Sequence, residues 1–226
     1  MKNYVYINVA VMGSVNYVLG QLLDDIKESG LKENSKVRAI VNGDIKSIDT
    51  QRYDWVEWIH VSNNISNQEF PTLKSIWNQA QTEEFNVLYL HTKGVSRTNQ
   101  FVNDWVNLLR YFNISRWNDR LNELETNDCT GINYGGNPDD IKEHPSTWGY
   151  GKAPMHYSGN FWWSKSSHIK NLTDPLAWTP DNDLTRWRMM CEMWVCQLPN
   201  GKYHCAYSSG VDHYMTPYPK EIYEIK

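Results

Sequence analysis

At 226 residues the chain is long enough to bury a sizeable core and falls within the range of one large domain. Its 22 lysines and arginines against 26 aspartates and glutamates give a net charge of −4, with the basic residues scattered, whereas a nucleic-acid surface gathers them into a stripe. Nucleic-acid binding is therefore disfavoured, and no apolar stretch approaches the ~20 residues of a membrane-spanning helix.

The opening segment, Tyr4 to Val11, is rich in β-branched and aromatic residues and reads as a first strand. Met1–Ile7 lacks the apolar run and cleavage site of a signal peptide. Gly13 and Ser14 lead into an amphipathic stretch in which Val15, Val18, Leu19, Leu22, Leu23 and Ile26 follow helical spacing, with Gly30 as its stop. Lys36–Val41 is a second strand, closed by Asn42-Gly43-Asp44, and Trp55–Val61 alternates like a third. Pro71 opens a helix running to about Thr82 that buries Leu73, Ile76, Trp77 and Ala80. Phe85–Leu90 then forms a nearly continuous apolar run, a strand buried on both faces, and it ends abruptly in His91-Thr92-Lys93-Gly94.

Two helical stretches follow, near Asn99–Phe112 and Arg116–Glu125, then a short strand at Cys129–Asn133. Residues 134–154 hold Gly, Pro, Asn and Asp in abundance and read as a long loop, of the kind that is usually functional or mobile. Met155–Ser164 reads as one strand, Asp183–Val195 as a helix and Lys202–Tyr207 as a last strand before a Pro-containing tail. Strand and helix alternate repeatedly in the first hundred residues, which argues for α/β architecture: a single Rossmann-related domain with a central, mostly parallel mixed sheet flanked by helices. Cys129, Cys191, Cys196 and Cys205 show neither a Cys-x-x-Cys pair nor zinc-ligand spacing, so they are expected to be reduced thiols in a cytoplasmic protein.

Four constellations carry possible chemistry. In open α/β sheets ligands sit beyond the carboxyl ends of the strands, where His91, Thr92, Lys93 and Gly94 fall. Lys93 offers a point charge for phosphate, Thr92 a hydroxyl, Gly94 close backbone approach, and His91 a metal ligand or a donor. The plainer reading of the same loop is a polar strand end with a hinge. Neither the P-loop nor the dinucleotide fingerprint is present. In His156–Ser164, alternation puts Tyr157, Gly159, Phe161 and Trp163 on one face and His156, Ser158, Asn160 and Trp162 on the other; Gly159 and the Asn160 amide there suit a sugar, or simply a strand with a bulge. Arg188 and Glu192 are helical i, i+4 neighbours, either an exposed ion pair or, for Glu192, a general base. Asp212 and His213, after the last strand, offer two metal ligands or a surface tail. Asp181-Asn182-Asp183 follows Pro180 and reads as a helix cap. The surplus of aromatics, 11 Trp and 14 Tyr against 5 Phe, suits half-wet sugar-binding surfaces as well as an ordinary core.

Taken together, Tyr89-Leu90-His91-Thr92-Lys93-Gly94, Asp104-Trp105, Tyr111-Phe112, His156–Trp163 and Glu192-x-Trp194 resemble a family of small GT-A-type glycosyltransferases. That family is found among bacterial surface-polysaccharide enzymes and in the capsid-glycan enzymes of large DNA viruses. The early Gly20-Gln21-Leu22-Leu23 and Ser29-Gly30-Leu31 segments also fit. The resemblance implies a GT-A-like domain with a nucleotide-binding part over about residues 1–130 and a sugar and acceptor part over about 131–226. It implies a nucleoside-diphosphate sugar donor, with UDP the expected carrier, a glycan or glycoprotein acceptor, and Mn2+ or Mg2+ as cofactor. Donor contacts are then expected from Asn8, Val9, His91, Thr92, Lys93, Gly94 and Arg97. Sugar and acceptor contacts are expected from His156, Ser158, Gly159, Asn160 and Trp163, metal ligands from His91, Asp212 and His213, and catalysis from Glu192 and Lys93. The chain departs from the family's Asp-x-Asp by carrying His91-Thr92-Lys93 in that place. The location implied is the cytoplasm of a bacterium or of an infected cell, and the chain is either a whole enzyme or one domain of a larger one. The rival readings are a non-catalytic carbohydrate-binding protein, for which an all-β fold is expected, and a nucleotide-sugar hydrolase.

Overall fold

Along strand β1 (Lys2–Ala10) Val5, Ile7 and Val9 face one way and Tyr4 and Tyr6 the other, and both sets are buried. A strand covered on both faces belongs in the middle of a sheet. The computed structural model, which describes residues 1–96, 99–143, 147, 153–179, 181 and 187–224, places it there. β1 pairs in parallel with β2 (Lys36–Asn42) on one side and with β4 (Phe85–His91) on the other, and β3 (Glu57–Ser62) extends the sheet beyond β2. Past β4 come β8 (Trp162–Lys165), β5 (Cys129–Ile132) and β9 (Tyr203–Tyr207), giving the order β3-β2-β1-β4-β8-β5-β9. β8 is antiparallel to both of its neighbours, and the other six strands run the same way.

Helices cover both faces. Helices α1 (Val15–Glu28), α4 (Gln100–Arg110) and α5 (Trp117–Leu124) bury Leu19, Leu22, Leu23, Trp105, Leu108 and Leu124 against the Val5–Ile7–Val9 face. Helices α3 (Phe70–Ala80), α6 (Ser166–Ile169) and α7 (Arg188–Met193) bury Phe70, Leu73, Ile76, Ile169 and Met193 against the Tyr4–Tyr6 face. A single turn of helix, α2 (Leu31–Asn34), links α1 to β2. This is the expected mostly parallel α/β domain, and it is not the all-β architecture expected of a simple sugar-binding module. Pro71 lies in the first turn of α3, and Asn99 caps α4 by accepting from the Val102 amide at 2.9 Å. A π-helical turn over Tyr111–Ser115 separates α4 from α5. Among the described residues no helix is long and apolar enough to cross a membrane. The four cysteines are unpaired, three of them buried, and burial pushes the thiols of Cys129, Cys191 and Cys196 up, which keeps them protonated.

Three expectations need correction. Met155–Ser164 is not one strand. His156–Tyr157 forms β7, which pairs with β6 (Tyr134–Gly135) in a separate two-stranded ribbon, while Trp162–Lys165 forms β8. Between them Gly159 (φ 95°) and Asn160 (φ 55°) take left-handed conformations, which glycine and asparagine tolerate best, and the chain turns. The strand alternation is lost at this turn, so Tyr157 packs on the Tyr4–Tyr6 face with Trp162, opposite Phe161 and Trp163. The stretch 134–154, expected as loop throughout, also carries β6 and a 3-10 turn over Pro138–Lys142. Of the helix expected over Asp183–Val195, the described part is α7 followed by a 3-10 turn at Trp194–Cys196. The Asn182-Asp183 part of the expected cap lies outside the described residues.

The topology locates the crevice. From β1 the chain moves outward through β2 and β3, then crosses back to β4 on the other side of β1. The carboxyl ends of β1 and β4 therefore flank a switch point, where the two outgoing connections diverge and leave an opening.

Candidate active site at the carboxyl ends of the central strands

The loops leaving β1 and β4 are tied together before they separate. The Thr92 amide donates to the Asn8 carbonyl at 3.0 Å, and Thr92 Oγ1 accepts from the Ala10 amide at 3.1 Å. Further out, the Ser14 amide donates to the Val95 carbonyl at 3.2 Å. Gly13 (φ 49°) crosses so close that a Cβ there would lie 2.0 Å from Val95 O. The Thr92 side chain is buried, and its oxygen takes part in holding the loop.

Between these loops, the start of α3, α7 and the C-terminal segment lies a cavity of about 400 Å³. Asn8, His91, Thr92, Lys93 and Gly94 line it, as do Arg188 and Glu192. Asn8 Oδ1 accepts from Asn42 Nδ2 at 3.0 Å and from Thr72 Oγ1 at 2.9 Å. With both lone pairs taken, the amide orientation is set and Nδ2 is the group left to face a ligand. Lys93 Nζ stands over the Trp105 ring, 3.8 Å from its centroid, a cation–π contact that holds the charge at the cavity wall. Although i, i+4 neighbours, Arg188 and Glu192 form no ion pair with one another. Glu192 is half-buried, and its carboxylate has no hydrogen-bond partner among the described residues.

The lining of the cavity includes a residue that sequence reasoning missed. Glu69, just ahead of α3, accepts hydrogen bonds at Oε2 from the Tyr89 hydroxyl and from Asn160 Nδ2, the latter at 2.6 Å, and its Oε1 lies 3.9 Å from His91 Nδ1. Burial first, and Glu69 second, push the Tyr89 phenol well above its ordinary range, so it remains a donor. The other ring nitrogen, His91 Nε2, donates to the Gly159 carbonyl at 3.0 Å. The preceding residue, Gln68, also lines the cavity and takes φ 54°, a conformation that costs a non-glycine side chain about 1–3 kcal/mol and collects at functional sites. A signal for Glu69 was available: a helix that follows a parallel strand begins at the carboxyl edge of the sheet, so the residues between the third strand and Pro71 had to border the crevice.

The remaining expected residues fall elsewhere. Val9 is fully buried on the α1 side of the sheet, and Arg97 lies outside the described residues. His156, Ser158, Asn160 and Trp163 do not line the cavity. His156 Nδ1 is 2.8 Å from the Pro154 carbonyl, and the Ser158 amide donates to the Asn133 carbonyl. Asn160 is buried, and its amide is engaged by Glu69, the Cys191 carbonyl and the Trp162 indole, so it fixes the carboxylate and presents no donor to a sugar hydroxyl. Trp163 is a core side chain whose Nε1 donates to the Asn113 carbonyl at 2.9 Å. Gly159 contributes through its carbonyl, and a Cβ there would come within 2.7 Å of Leu109.

The expected metal ligands are not brought together. His213 is buried and stacks on Trp105 at 5.4 Å, with Nε2 2.8 Å from Ser209 Oγ. Asp212 caps a turn by accepting from the Tyr214 amide, and His91 is engaged as described above. Among the described residues no group of three His, Cys, Asp or Glu side chains is placed to hold an ion. The donor set of the described residues therefore does not by itself fit a cation. Among the described residues, the positive charges lining the cavity are those of Lys93 and Arg188.

Comparison with known proteins places the chain in a family. Residues 15–215 match the model described as Domain of unknown function (DUF8361), and the chain belongs to that family. No curated protein matches it in sequence. Among solved structures, it is similar to 4-diphosphocytidyl-2C-methyl-D-erythritol synthase from Anaerococcus prevotii, at 11% identity and TM-score 0.49 over 97% of this chain and 94% of that one. It is also similar to a cytidylyltransferase from Leptospira borgpetersenii, at 11% identity and TM-score 0.44 over 96% and 79% of the two chains. A third is HddC from Yersinia pseudotuberculosis, at 11% identity and TM-score 0.44 over 92% and 91%. Likeness this distant carries no argument about chemistry, which rests on the cavity itself.

Proposed function

We propose that the cavity binds a nucleoside-diphosphate sugar, with UDP the first carrier to try, and that the protein transfers the sugar to a hydroxyl of a glycan or glycoprotein. The observation that carries this reading is the position of Lys93. It is a cation delivered by the loop at the end of a largely buried central strand, held on Trp105, in a cavity that also holds Arg188 and Glu192, a carboxylate with no hydrogen-bond partner among the described residues. In the step proposed, Glu192 takes the proton of the acceptor hydroxyl as its oxygen bonds to the anomeric carbon. The bond from that carbon to the diphosphate oxygen breaks, and the diphosphate leaves with the electron pair. Lys93 and Arg188 stabilise the charge that develops on it, the electrostatic contribution that is usually the largest in such a reaction. Glu69 is already committed to Tyr89 and Asn160 and serves to hold the wall of the cavity. No step is assigned to a divalent cation.

The test is a melting-temperature screen with UDP-, GDP-, CMP- and dTDP-sugars, each with and without Mn2+. A ligand that binds the folded state at 100 times its Kd stabilises it by about 2.7 kcal/mol, a readily measured shift. At least one nucleotide sugar is expected to raise Tm in the wild type and to fail with Lys93→Ala. No shift with any of them would sink the donor site. Release of free sugar at full rate without an acceptor would replace transfer with hydrolysis.

A further inference from the structure

A second depression, of about 240 Å³, opens on the other side of the Lys93–Gly94 loop, between α1 and α4, and shares those two residues with the main cavity. Its walls have a regular origin. From α1 and its cap come Ser14, Tyr17 and Gln21, and from α4 come Gln100, Asn103 and Asn107. Both sets follow the spacing i, i+3, i+7, which puts each on one stripe of its helix. Two neutral, hydrogen-bonding stripes thus face one another over Val18 and Val106.

The chemistry of the two depressions differs. The main cavity is lined by Glu69, Lys93, Arg188 and Glu192, whereas among the described residues the groove has no charged side chain apart from the shared Lys93. Its amides and hydroxyls keep unused capacity among the described residues. Gln21 donates Nε2 to the Tyr17 oxygen at 3.1 Å, leaving Gln21 Oε1 and the Tyr17 proton. Gln100 Nε2 is given to Asp104, leaving Oε1. Asn107 Oδ1 accepts from Arg110 at 3.1 Å, leaving Nδ2, and both polar atoms of the exposed Asn103 amide remain. Tyr17, 68% exposed, adds an aromatic face at the rim. Amides that both donate and accept, beside an exposed aromatic ring and with Lys93 the one charge among the described lining residues, match a neutral polyhydroxylated chain with apolar C–H faces.

We infer that this groove is the acceptor subsite and holds the neutral glycan units remote from the reacting hydroxyl, while the terminal unit passes the Lys93–Gly94 loop into the main cavity. The inference rests on the proposed glycosyl transfer for its role, but binding of the glycan itself does not. It also moves the acceptor away from the β7–β8 segment, where Asn160 and Trp163 are occupied internally.

The test is an NMR titration of the 15N-labelled protein with neutral hexasaccharides of glucose, mannose, galactose and N-acetylglucosamine, repeated on the double variant N103A/N107A. Both positions are exposed on a helix, where alanine is the better helix former, so the variant keeps the fold. At least one hexasaccharide is expected to shift the side-chain amides of Asn103 and Asn107 and to bind about tenfold or more weakly to the variant, the loss of two ligand hydrogen bonds. The nucleotide-sugar melting shift should be the same in variant and wild type. The inference is overturned if no hexasaccharide perturbs these amides, or if the variant binds as tightly as the wild type. If the oligosaccharide binds the groove while no nucleotide sugar raises Tm, the groove stands and the transferase reading falls.

Discussion

The ammonium of Lys93 stands 3.8 Å from the centroid of the Trp105 indole, at the point where the main cavity meets the α1–α4 groove. The contact contributes about 0.5–1 kcal/mol, so it orients the charge more than it stabilises the fold. Lys93→Ala is expected to leave the unfolding midpoint in urea within about 1 kcal/mol of the wild type, while lowering kcat/KM by about 10²–10³ through loss of leaving-group stabilisation. Trp105→Leu keeps the charge but removes its cation–π contact, and should cost less in rate than Lys93→Ala. Equal turnover by Lys93→Ala and wild type would remove the residue from the chemistry.

Glu69 and Glu192 line one cavity but respond oppositely to substitution. Glu69→Ala strands the Tyr89 hydroxyl and leaves Asn160 Nδ2 with only the long bond to the Cys191 carbonyl, two donors in a largely buried setting. At about 1–3 kcal/mol for each group, the loss should be up to about 6 kcal/mol in urea unfolding. Glu192→Gln touches no such network. It should leave stability within about 0.5 kcal/mol and reduce turnover by about 10²–10⁴, the usual worth of a general base. Denaturation and initial-rate measurements on the two variants separate the structural carboxylate from the catalytic one.

How far the sequence discloses this arrangement depends on whether a feature is local. The apolar run Phe85–Leu90 and the period-2 pattern of β1 carry their burial on both faces in the sequence itself, and the α1 stripe of Val15, Val18, Leu19, Leu22 and Ile26 does the same for a helix. The His91–Gly94 loop is legible for the same reason, since it is where a buried strand stops. The turn at Gly159–Asn160 is not, because an aromatic-rich alternating segment masks two residues of positive φ. The contact between Glu69 and Asn160 spans 91 residues and is made by the crossover through α3, so no spacing announces it. The tryptophans show the limit of composition. Trp162, Trp163 and Trp194 fill the core, while Trp105 reaches the cavity, and the sequence does not distinguish them.

The crossing of the β1 and β4 loops gives a prediction about ligand binding. An added methyl at Gly13 would overlap Val95 O, and φ 49° is itself strained for alanine. Gly13→Ala should therefore push the two loops apart, costing about 1–3 kcal/mol and abolishing the nucleotide-sugar shift in Tm. Gly210→Ala is the control: φ is 68°, but nothing lies within 4 Å of the added Cβ. It should show the backbone cost alone and keep the shift. Loss of the shift in both variants would trace the effect to general destabilisation.

Two buried imidazoles should make stability fall as the solution is acidified from neutrality. His168 donates Nε2–H to the Val195 carbonyl at 2.8 Å, and burial holds its pKa below 6.5, with Asp128 and the Val195 bond opposing. His213 is also lowered chiefly by burial, with Lys93 adding to the effect and Asp212 and Asp104 opposing it. Above pH 6.5 both rings are neutral in the folded and unfolded states, and their contribution is fully present. Below 6.5 the unfolded chain takes up protons that the folded protein refuses, so stability declines until the folded-state pKa values are reached and then levels off. Glu83 adds a separate loss at lower pH, between 4.5 and about 2, because the hydrogen bond from Lys2, followed by that from Gln79, holds its carboxyl down. Urea midpoints measured at pH 7.5, 6 and 5 should fall steadily for the wild type. The fall should be shallower for His213→Phe, which retains a ring to stack on Trp105 but has no proton to bind. An identical pH slope in wild type and variant would mean that His213 titrates alike in both states and that its burial has no energetic consequence.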